Sequence, residues 1–400
     1  MSEWKKVKLD DCLELITYGF TNPMPDTDRG PWKVTAKDIA DGRINYQTAR
    51  HTSIDAFENE LTDKSRPVKG DLLLTKDGTL GRLAIVGDER ICINQSVALL
   101  RVKHDIIYVP YLYYLLSTPV YQGKMLADAG GATIKHIYIT RVNQIDIPCP
   151  SYEEQVRLAT ILSRYDSLIE NYQKQIKLLE EAAQRLYKEW FVDLHFPGHE
   201  TTKIVDGVPE GWEKKKVNAI VELQSGFAFK SVTFEEKGQY KVVTIKNVKD
   251  GQFDGDNVSF LKTIPEKMPP HCVLQTGDIL LSLTGNVGRV CMVIGEDYLL
   301  NQRVAKLKTE YPAFVYCLFR NHDMFVAVNN LANGAAQQNV SPIRIGELDL
   351  VISDKETMNS FEGITGKIKS QIMHLFSQIR LLTEARDRLL PKLMSGEIAV

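Results

Sequence analysis

The chain repeats itself along its 400 residues, and this repeat constrains the fold more than any other feature. Gly70-Asp71-Leu72-Leu73-Leu74 recurs as Gly277-Asp278-Ile279-Leu280-Leu281, an offset of 207 residues between positions 70 and 277. A second pair of segments, Gln175–Leu179 and Gln378–Leu382, matches at an offset of 203. One duplication of a two-part unit, in the order A-B-A′-B′, therefore accounts for the whole length.

The two A units, predicted at residues 1–150 and 199–352, have the pattern of mixed α/β domains. In the first, short aliphatic runs alternate with turn residues, which is typical of strands. A short helix is a candidate at Val109–Leu116. The predicted strands are Asp71–Thr75, Leu83–Val86, Ile91–Ile93 and Ser96–Val102.

The two B units, predicted at residues 151–198 and 353–400, carry apolar residues at heptad spacing. This narrow pattern predicts a coiled-coil seam on two helices of about 33 residues, or roughly 50 Å each. Thr365 and Arg386 interrupt the second seam, and Pro391 is expected to end or kink that helix. The seam residues are Leu162, Ile169, Ile176, Leu179, Leu186, Ile372, Ile379, Leu382 and Leu389.

These patterns predict an α+β fold in which two mixed α/β domains are separated by two long helices. We expect the helices to form an antiparallel coiled coil with a pseudo-two-fold internal repeat. The alternative is that each helix packs on its own neighbouring domain.

Composition limits the possible functions. The net charge is −2, so a nucleic-acid contact needs locally focused basic residues or partner subunits. The six cysteines lack zinc-module spacing and are expected to be reduced thiols. The sequence contains no recognisable catalytic set, and without a signal peptide or membrane span we expect a cytoplasmic protein.

Two glycine turns, Gly78–Gly81 and Gly285–Gly288, raise the question of a phosphate-binding loop. The Lys-Ser/Thr pair of that motif is missing, since Arg82-Leu83 and Arg289-Val290 follow the turns. We interpret both as hairpin turns that could pass close to a DNA backbone.

The order of these motifs, present twice, resembles the specificity subunits of type I restriction–modification enzymes. The resemblance rests on the Gly-Asp-aliphatic-Leu-Leu segments, the Gly-x-x-Gly-Arg turns, and the Asn-Gln pairs at Asn94-Gln95 and Asn301-Gln302. It extends to Leu186–Phe191 and to the tail Leu389–Glu397, whereas Asp354–Met358 departs from the Glu153-Glu154-Gln155 entry of the first helix.

The resemblance implies that the A units are target-recognition domains and that the chain is a non-catalytic subunit. Its implied partners are double-stranded DNA and two methyltransferase subunits, which carry S-adenosylmethionine and dock on the helices. A motor-nuclease restriction subunit is a further candidate partner, and the chain itself is expected to hold no cofactor or metal. The implied target is bipartite and asymmetric.

The repeat also sorts the candidate DNA contacts. Basic residues found in both halves, Lys37 with Lys246 and Arg82 with Arg289, are candidates for phosphate contacts, while differing residues at matching positions are candidates for reading bases. For each of them, an ordinary solvated loop residue is the competing interpretation. The candidate DNA-binding residues are Lys37, Lys76, Thr79, Arg82, Lys135, His136, Lys246, Thr284, Asn286, Arg289, Arg303, Gln338 and Asn339.

A coiled-coil scaffold whose repeated domains bind protein is the alternative function. A methyltransferase-type gene beside this one would distinguish the DNA-recognition function from this alternative.

Overall fold

A computed structural model describes residues 4–127, 136–332 and 339–400. The chain divides into two compact units: unit 1 comprises Met1–Leu168 and Leu382–Val400, and unit 2 comprises Ile169–Leu381. Each unit contains one copy of the repeat together with segments of both long helices. Both units are mixed α/β.

The central sheet of unit 1 is built from four antiparallel strands whose side chains are mostly buried. The strands predicted from residues 71–102 are confirmed to within one residue at their ends. The short helix is also confirmed, at Val109–Ser117. The spatial order of the sheet is Leu13–Tyr18, Val97–Val102, Leu72–Thr75, Leu83–Ile85.

Smaller elements surround this sheet. Thr27–Val34 pairs in parallel with Ile91–Ile93 and antiparallel with Arg50–His51. Two further antiparallel pairs join Lys5–Lys8 to Asp146–Cys149 and Ile39–Ala40 to Arg43–Ile44. The other helices of unit 1 outside the long pair are Ile54–Asn59, Pro119–Ala127 and Ile139–Val142.

Unit 2 repeats the central sheet in the same strand order. Leu99 pairs with Leu73 in unit 1, and Lys306 pairs with Leu280 in unit 2, so the register repeats at the offset of 207 residues. The sheet order is Glu222–Ser225, Val304–Lys308, Ile279–Ser282, Val290–Met292. The internal duplication is therefore one of tertiary structure as well as sequence.

A second four-stranded sheet in unit 2 again contains one parallel pair, between Tyr240–Val243 and Tyr298–Leu300. The remaining strands of the unit are Ser259–Leu261, Val273–Leu274, Glu213–Lys216 paired with Asp349–Ile352, and Ile204–Val205 paired with Val208–Pro209. Its shorter helices are Pro312–Arg320, His322–Ala332 and Pro342–Gly346.

The two long helices span Tyr152–Tyr187, continued by a π-helical turn at Lys188–Val192, and Lys355–Met394. In unit 1, the Trp4 indole N–H donates to Glu154 at the start of the first helix, and its ring lies beside Gly396 just past the end of the second. In unit 2, the Trp190 and Phe361 rings lie 5.6 Å apart. The segments are thus antiparallel within each unit.

The helices also pack on the domain cores. Leu158 and Leu162 of the first helix share one apolar cluster with Leu393 of the second and with Leu112 and Leu116 of the domain. The two long helices therefore pack against each other and against the neighbouring domain at the same time. The buried face of each helix is wider than the narrow heptad seam.

Pro391 does not end the second helix, which continues for three residues to Met394. Because Pro391 lies in the last turn, its missing N–H removes a single helical hydrogen bond. At the other interruption, Thr365 is buried and its hydroxyl donates to the Phe361 carbonyl at 2.7 Å. A polar residue is tolerated there because the helix itself satisfies it.

The second helix begins with a different sequence from the first, but a different side chain makes a similar hydrogen bond there. In unit 1, the buried Gln155 side chain accepts from the Tyr108 N–H at 2.8 Å. In unit 2, Met358 occupies the corresponding position, and Glu362, one turn later, accepts from the Phe314 N–H at 2.6 Å. Both contacts satisfy an N–H group at the N-terminal end of a short helix, at the residue before Val109–Ser117 and in the first turn of Pro312–Arg320. Among the described helices, none has the length and apolar character to cross a membrane.

Candidate nucleic-acid interface

The glycine turns are hairpin turns between antiparallel strands. Gly78 and Gly81 have φ angles of 76° and 79°, and Gly285 and Gly288 have 73° and 85°, all in the left-handed region that glycine adopts without strain. The Gln122 amide donates to the Gly81 carbonyl at 2.9 Å and fixes this turn. The turns therefore have a defined shape that presents the residues between the glycines.

Three segments that are distant in sequence meet beside the turn of unit 1. The Lys76 N–H donates to the Ser96 carbonyl at 2.9 Å, and the Ile137 N–H donates to the Lys76 carbonyl at 2.9 Å. His136 Nδ1 is hydrogen-bonded to the Asp77 carboxylate. We call Lys76, Asp77, Ser96 and His136 centre 1.

Unit 2 assembles the matching positions in the same way. The Leu283 N–H donates to the Arg303 carbonyl at 2.9 Å, and the Val340 N–H donates to the Leu283 carbonyl at 2.9 Å. The Thr284 hydroxyl donates to Asn339 Oδ1 at 2.9 Å. We call Leu283, Thr284, Arg303 and Asn339 centre 2. The same backbone frame thus carries different side chains in the two units.

The Asn-Gln pairs belong to this common frame. The Asn94 side chain accepts from the Ser96 N–H at 3.2 Å, and Asn301 accepts from the Arg303 N–H at the same distance. The main chain of the following glutamine bonds to Phe20 in unit 1 and to Phe227 in unit 2. Residues identical in both halves therefore hold the centres in place.

Centre 1 is charged. Lys76 Nζ lies 2.8 Å from the Asp77 carboxylate and 5.3 Å from the centre of the Tyr18 ring. Burial raises the pKa of Asp77, but the hydrogen bonds from His136 and Lys76 outweigh it and hold that pKa below its ordinary value. The carboxyl is therefore ionised at neutral pH and acts as a hydrogen-bond acceptor.

Tyr18 lies beside centre 1 but was not among the contacts predicted from the sequence. Its side chain is 46% exposed beside Lys76, and its counterpart in the sheet register of unit 2 is Ser225. The signal available in the sequence was the pair Gly19-Phe20, which recurs as Gly226-Phe227 at the same offset of 207. The residue before this pair differs between the halves, Tyr18 in the first and Ser225 in the second.

The other predicted contacts differ in their exposure and in their hydrogen-bond partners. Lys37 is exposed in a short turn whose Ala36 N–H donates to the Ser96 hydroxyl at 2.9 Å. The Arg82 guanidinium donates to the Ile39 carbonyl at 3.0 Å, so it also supports the fold. Thr79, Lys246, Asn286 and Arg303 are exposed, Arg289 is half-buried, and Lys135 and Gln338 lie outside the described residues.

The predicted seam residues fall into two groups by burial. Those in unit 1 are Leu162, Leu382 and Leu389, and the rest belong to unit 2. Leu162, Ile169, Ile176 and Ile372 are buried, whereas Leu179, Leu186, Ile379, Leu382 and Leu389 are half-buried. Because the half-buried residues are partly exposed, some apolar helix surface remains available for further contacts.

The described residues offer neither a metal site nor an activated thiol. No group of three or more His, Cys, Asp or Glu side chains within residues 4–127, 136–332 and 339–400 could hold a metal ion. Burial raises the pKa of Cys92 and of Cys317 to about 12, so both thiols stay protonated at neutral pH.

Comparison with known proteins identifies both halves of the chain. Residues 1–181 and 209–386 each match the family model described as the type I restriction modification DNA specificity domain. The chain is 27% identical to the type I restriction enzyme MjaIX specificity subunit of Methanocaldococcus jannaschii, over 92% of this chain and 87% of that protein. It is 26% identical to the MjaVIII specificity subunit of the same organism, over 100% and 93% of the two chains.

Among solved structures, the S subunit of a type I restriction–modification system from M. genitalium has a similar fold. The TM-score is 0.59 at 18% identity, and the alignment covers 98% of this chain and 96% of that one.

Proposed function

We propose, from the premise that this chain belongs to the type I restriction modification DNA specificity family, that it is the DNA-recognition subunit of a type I restriction–modification complex. In this role the chain is not the catalyst. It reads a bipartite, asymmetric DNA target and docks the subunits that modify it. We assign target recognition to residues 1–150 and 199–352, and spacing and docking to the helical regions 151–198 and 353–400.

The observation that carries this proposal is the relation between centres 1 and 2. Both rest on the same hydrogen-bonded frame, yet they carry different side chains. Leu283 and Thr284 of centre 2 are buried, whereas His136, Arg303 and Asn339 are polar and at least partly exposed. Two similar frames are suited to meeting a duplex in similar poses, while differing side chains read different bases. A protein-binding scaffold would have no need for this combination.

The expected partners follow from the net charge of the chain. With a net charge of −2, the chain lacks the positive excess that supplies sequence-independent affinity for DNA. We therefore expect two methyltransferase subunits to supply further contacts to the DNA phosphates and to carry S-adenosylmethionine. A motor-nuclease subunit is a further expected partner, and the complex would act on DNA in the cytoplasm.

The test is selection from a random-sequence duplex pool by the purified chain, with and without its methyltransferase partner. We expect weak, salt-sensitive binding by the chain alone and tight selection by the complex. The selected target should consist of two unlike half-sites separated by an unread spacer, and mapping of methylated adenines should give the same sequence. A continuous palindrome, or tight specific binding by the isolated chain at physiological salt, would contradict the proposal.

A further inference from the structure

We infer that His136 and Asn339 are the corresponding base-reading side chains of the two recognition units, each positioned by a partner on the glycine turn. This inference rests on the proposed function and makes it specific at one position of each half-site. It assigns a single hydrogen bond to unit 1 and an adenine-reading pair of hydrogen bonds to unit 2.

The two positions are equivalent in three dimensions. In unit 1, the segments at Asp77 and His136 form a single antiparallel bridge, and in unit 2 Thr284 and Asn339 form the same bridge. Asp77 and Thr284 are 207 positions apart, whereas His136 and Asn339 are 203 apart. These are the two offsets found between the repeated segments, so each bridge joins a segment of one offset to a segment of the other. The same backbone position therefore presents both candidate side chains.

In unit 1, the inner ring nitrogen of His136 is occupied. Its Nδ1 lies against Oδ1 of Asp77, whose other oxygen takes Lys76 at 2.8 Å. An ionised carboxylate can only accept, so Nδ1 must be the protonated nitrogen. The side chain of His136 is 42% exposed, which leaves the outer nitrogen, Nε2, as the atom that can meet a base. A single ring nitrogen forms one hydrogen bond.

In unit 2, the contact with Thr284 leaves Asn339 with more free hydrogen-bonding groups than His136 has. Thr284, which is buried, donates its hydroxyl to Asn339 Oδ1 at 2.9 Å and fixes the amide plane. Asn339 itself is exposed, and its Nδ2 makes no hydrogen bond to another described residue. The amide therefore offers two N–H donors and the second lone pair of Oδ1.

This difference determines which base edges the two side chains suit. An asparagine amide pairs with the N7 and N6 edge of adenine through one donor and one acceptor. We therefore expect an adenine opposite Asn339 in the half-site of unit 2. His136 lacks the second contact, so the corresponding position in the half-site of unit 1 should be less strictly selected.

The experiment exchanges the two pairs and repeats the selection from random DNA with the full complex. In unit 1, the variant is Asp77→Thr with His136→Asn, and in unit 2 it is Thr284→Asp with Asn339→His. The matched control is Lys69→Gln, an exposed residue beyond the opposite end of the strand that leads into the turn of centre 1. Thermal unfolding of each variant shows whether it is folded.

The unit 1 exchange should increase the preference for adenine at one position of that half-site by about tenfold and leave the other half-site unchanged. The unit 2 exchange should lower its adenine preference by a similar factor, and the control should keep both half-sites. If one exchange does not fold, the other decides.

Unchanged half-sites in folded exchange variants would overturn the inference. So would loss of all sequence selection by folded, assembled variants, because corresponding readers should be interchangeable. If the wild-type complex selects no sequence, the proposed function itself fails, and the two failures are therefore distinguishable.

Discussion

Arg386 on the second long helix donates to the Asp166 carboxylate on the first at 2.7 Å, although the two residues are 220 positions apart. Arg386 occupies a position where the heptad pattern calls for an apolar residue. The same carboxylate accepts from the Tyr114 hydroxyl at 2.5 Å. One acidic side chain thus ties two helices and a domain helix together within unit 1, and it explains why arginine is tolerated in the seam.

Asp166→Ala should destabilise unit 1 by about 2 kcal/mol, because it removes the acceptor of the Tyr114 hydroxyl and one of the two carboxylates that Arg386 contacts. Both members of the ion pair are a little over one quarter exposed, so the loss should be smaller than for a fully buried pair. Urea unfolding of Asp166→Ala, Arg386→Ala and the double variant should give a coupling of about 1 kcal/mol. Additive effects of the two substitutions would contradict this pairing.

Ile176→Asp should destabilise unit 2 by several kcal/mol, since the residue is 6% exposed within the main apolar cluster and the charge would be unpaired. Leu178→Asp is the matched control on the same helix, because Leu178 is 65% exposed. We expect the control to change the free energy of unfolding by less than about 0.5 kcal/mol. Equal effects of the two substitutions in urea unfolding would show that the buried face is wrongly assigned.

Gly81→Ala should cost more stability than Gly78→Ala. Both substitutions place a side chain in the left-handed region, at a cost of about 1 kcal/mol. At Gly78 the added Cβ has no heavy atom within 4 Å, whereas at Gly81 it would clash with Gln122 Oε1 and disturb the amide that holds the turn. Thermal unfolding should rank wild type, Gly78→Ala and Gly81→Ala in falling order; the reverse order for the two variants would exclude this role of Gln122.

Asp354 caps the start of the second long helix, and this stabilising contribution should be lost in acid. Burial raises the pKa of Asp354, but hydrogen bonds from the Thr357 N–H at 2.9 Å and the Thr357 hydroxyl at 2.8 Å contribute to a pKa below the ordinary value. A lowered folded-state pKa stabilises the protein above the ordinary carboxyl range, near pH 4, and this stability is lost as pH falls through the folded-state value.

Asp354→Ala should therefore cost about 1 kcal/mol at pH 6 and progressively less below pH 4. Asp354→Asn keeps an acceptor but cannot titrate, so its advantage over Asp354→Ala should stay constant across the same range. The measurement is urea unfolding at a series of pH values. A cost of Asp354→Ala that rises towards low pH would have the wrong sign for this cap.

Local patterns in the sequence were sufficient for the duplication, the two long helices and part of the secondary structure of unit 1. Aliphatic runs bounded by glycine and aspartate predicted the strands of residues 71–102, and heptad spacing predicted both long helices. These features depend on neighbours within a few residues, where side-chain periodicity matches backbone geometry. The expectation that Pro391 could end the second helix was wrong, because the helix continues to Met394 and a proline in the last turn removes only one helical hydrogen bond.

Only the tertiary structure brought Asp77 to His136 and Thr284 to Asn339. The repeat predicted that these positions correspond, but it could not show that two segments with different offsets meet at one hydrogen bond. It also missed Tyr18, which reaches centre 1 from another strand. Such contacts join segments tens of residues apart, and they depend on how strands pair and helices pack. Sequence periodicity therefore determined the elements and their order, whereas long-range packing decided which of their side chains share a site.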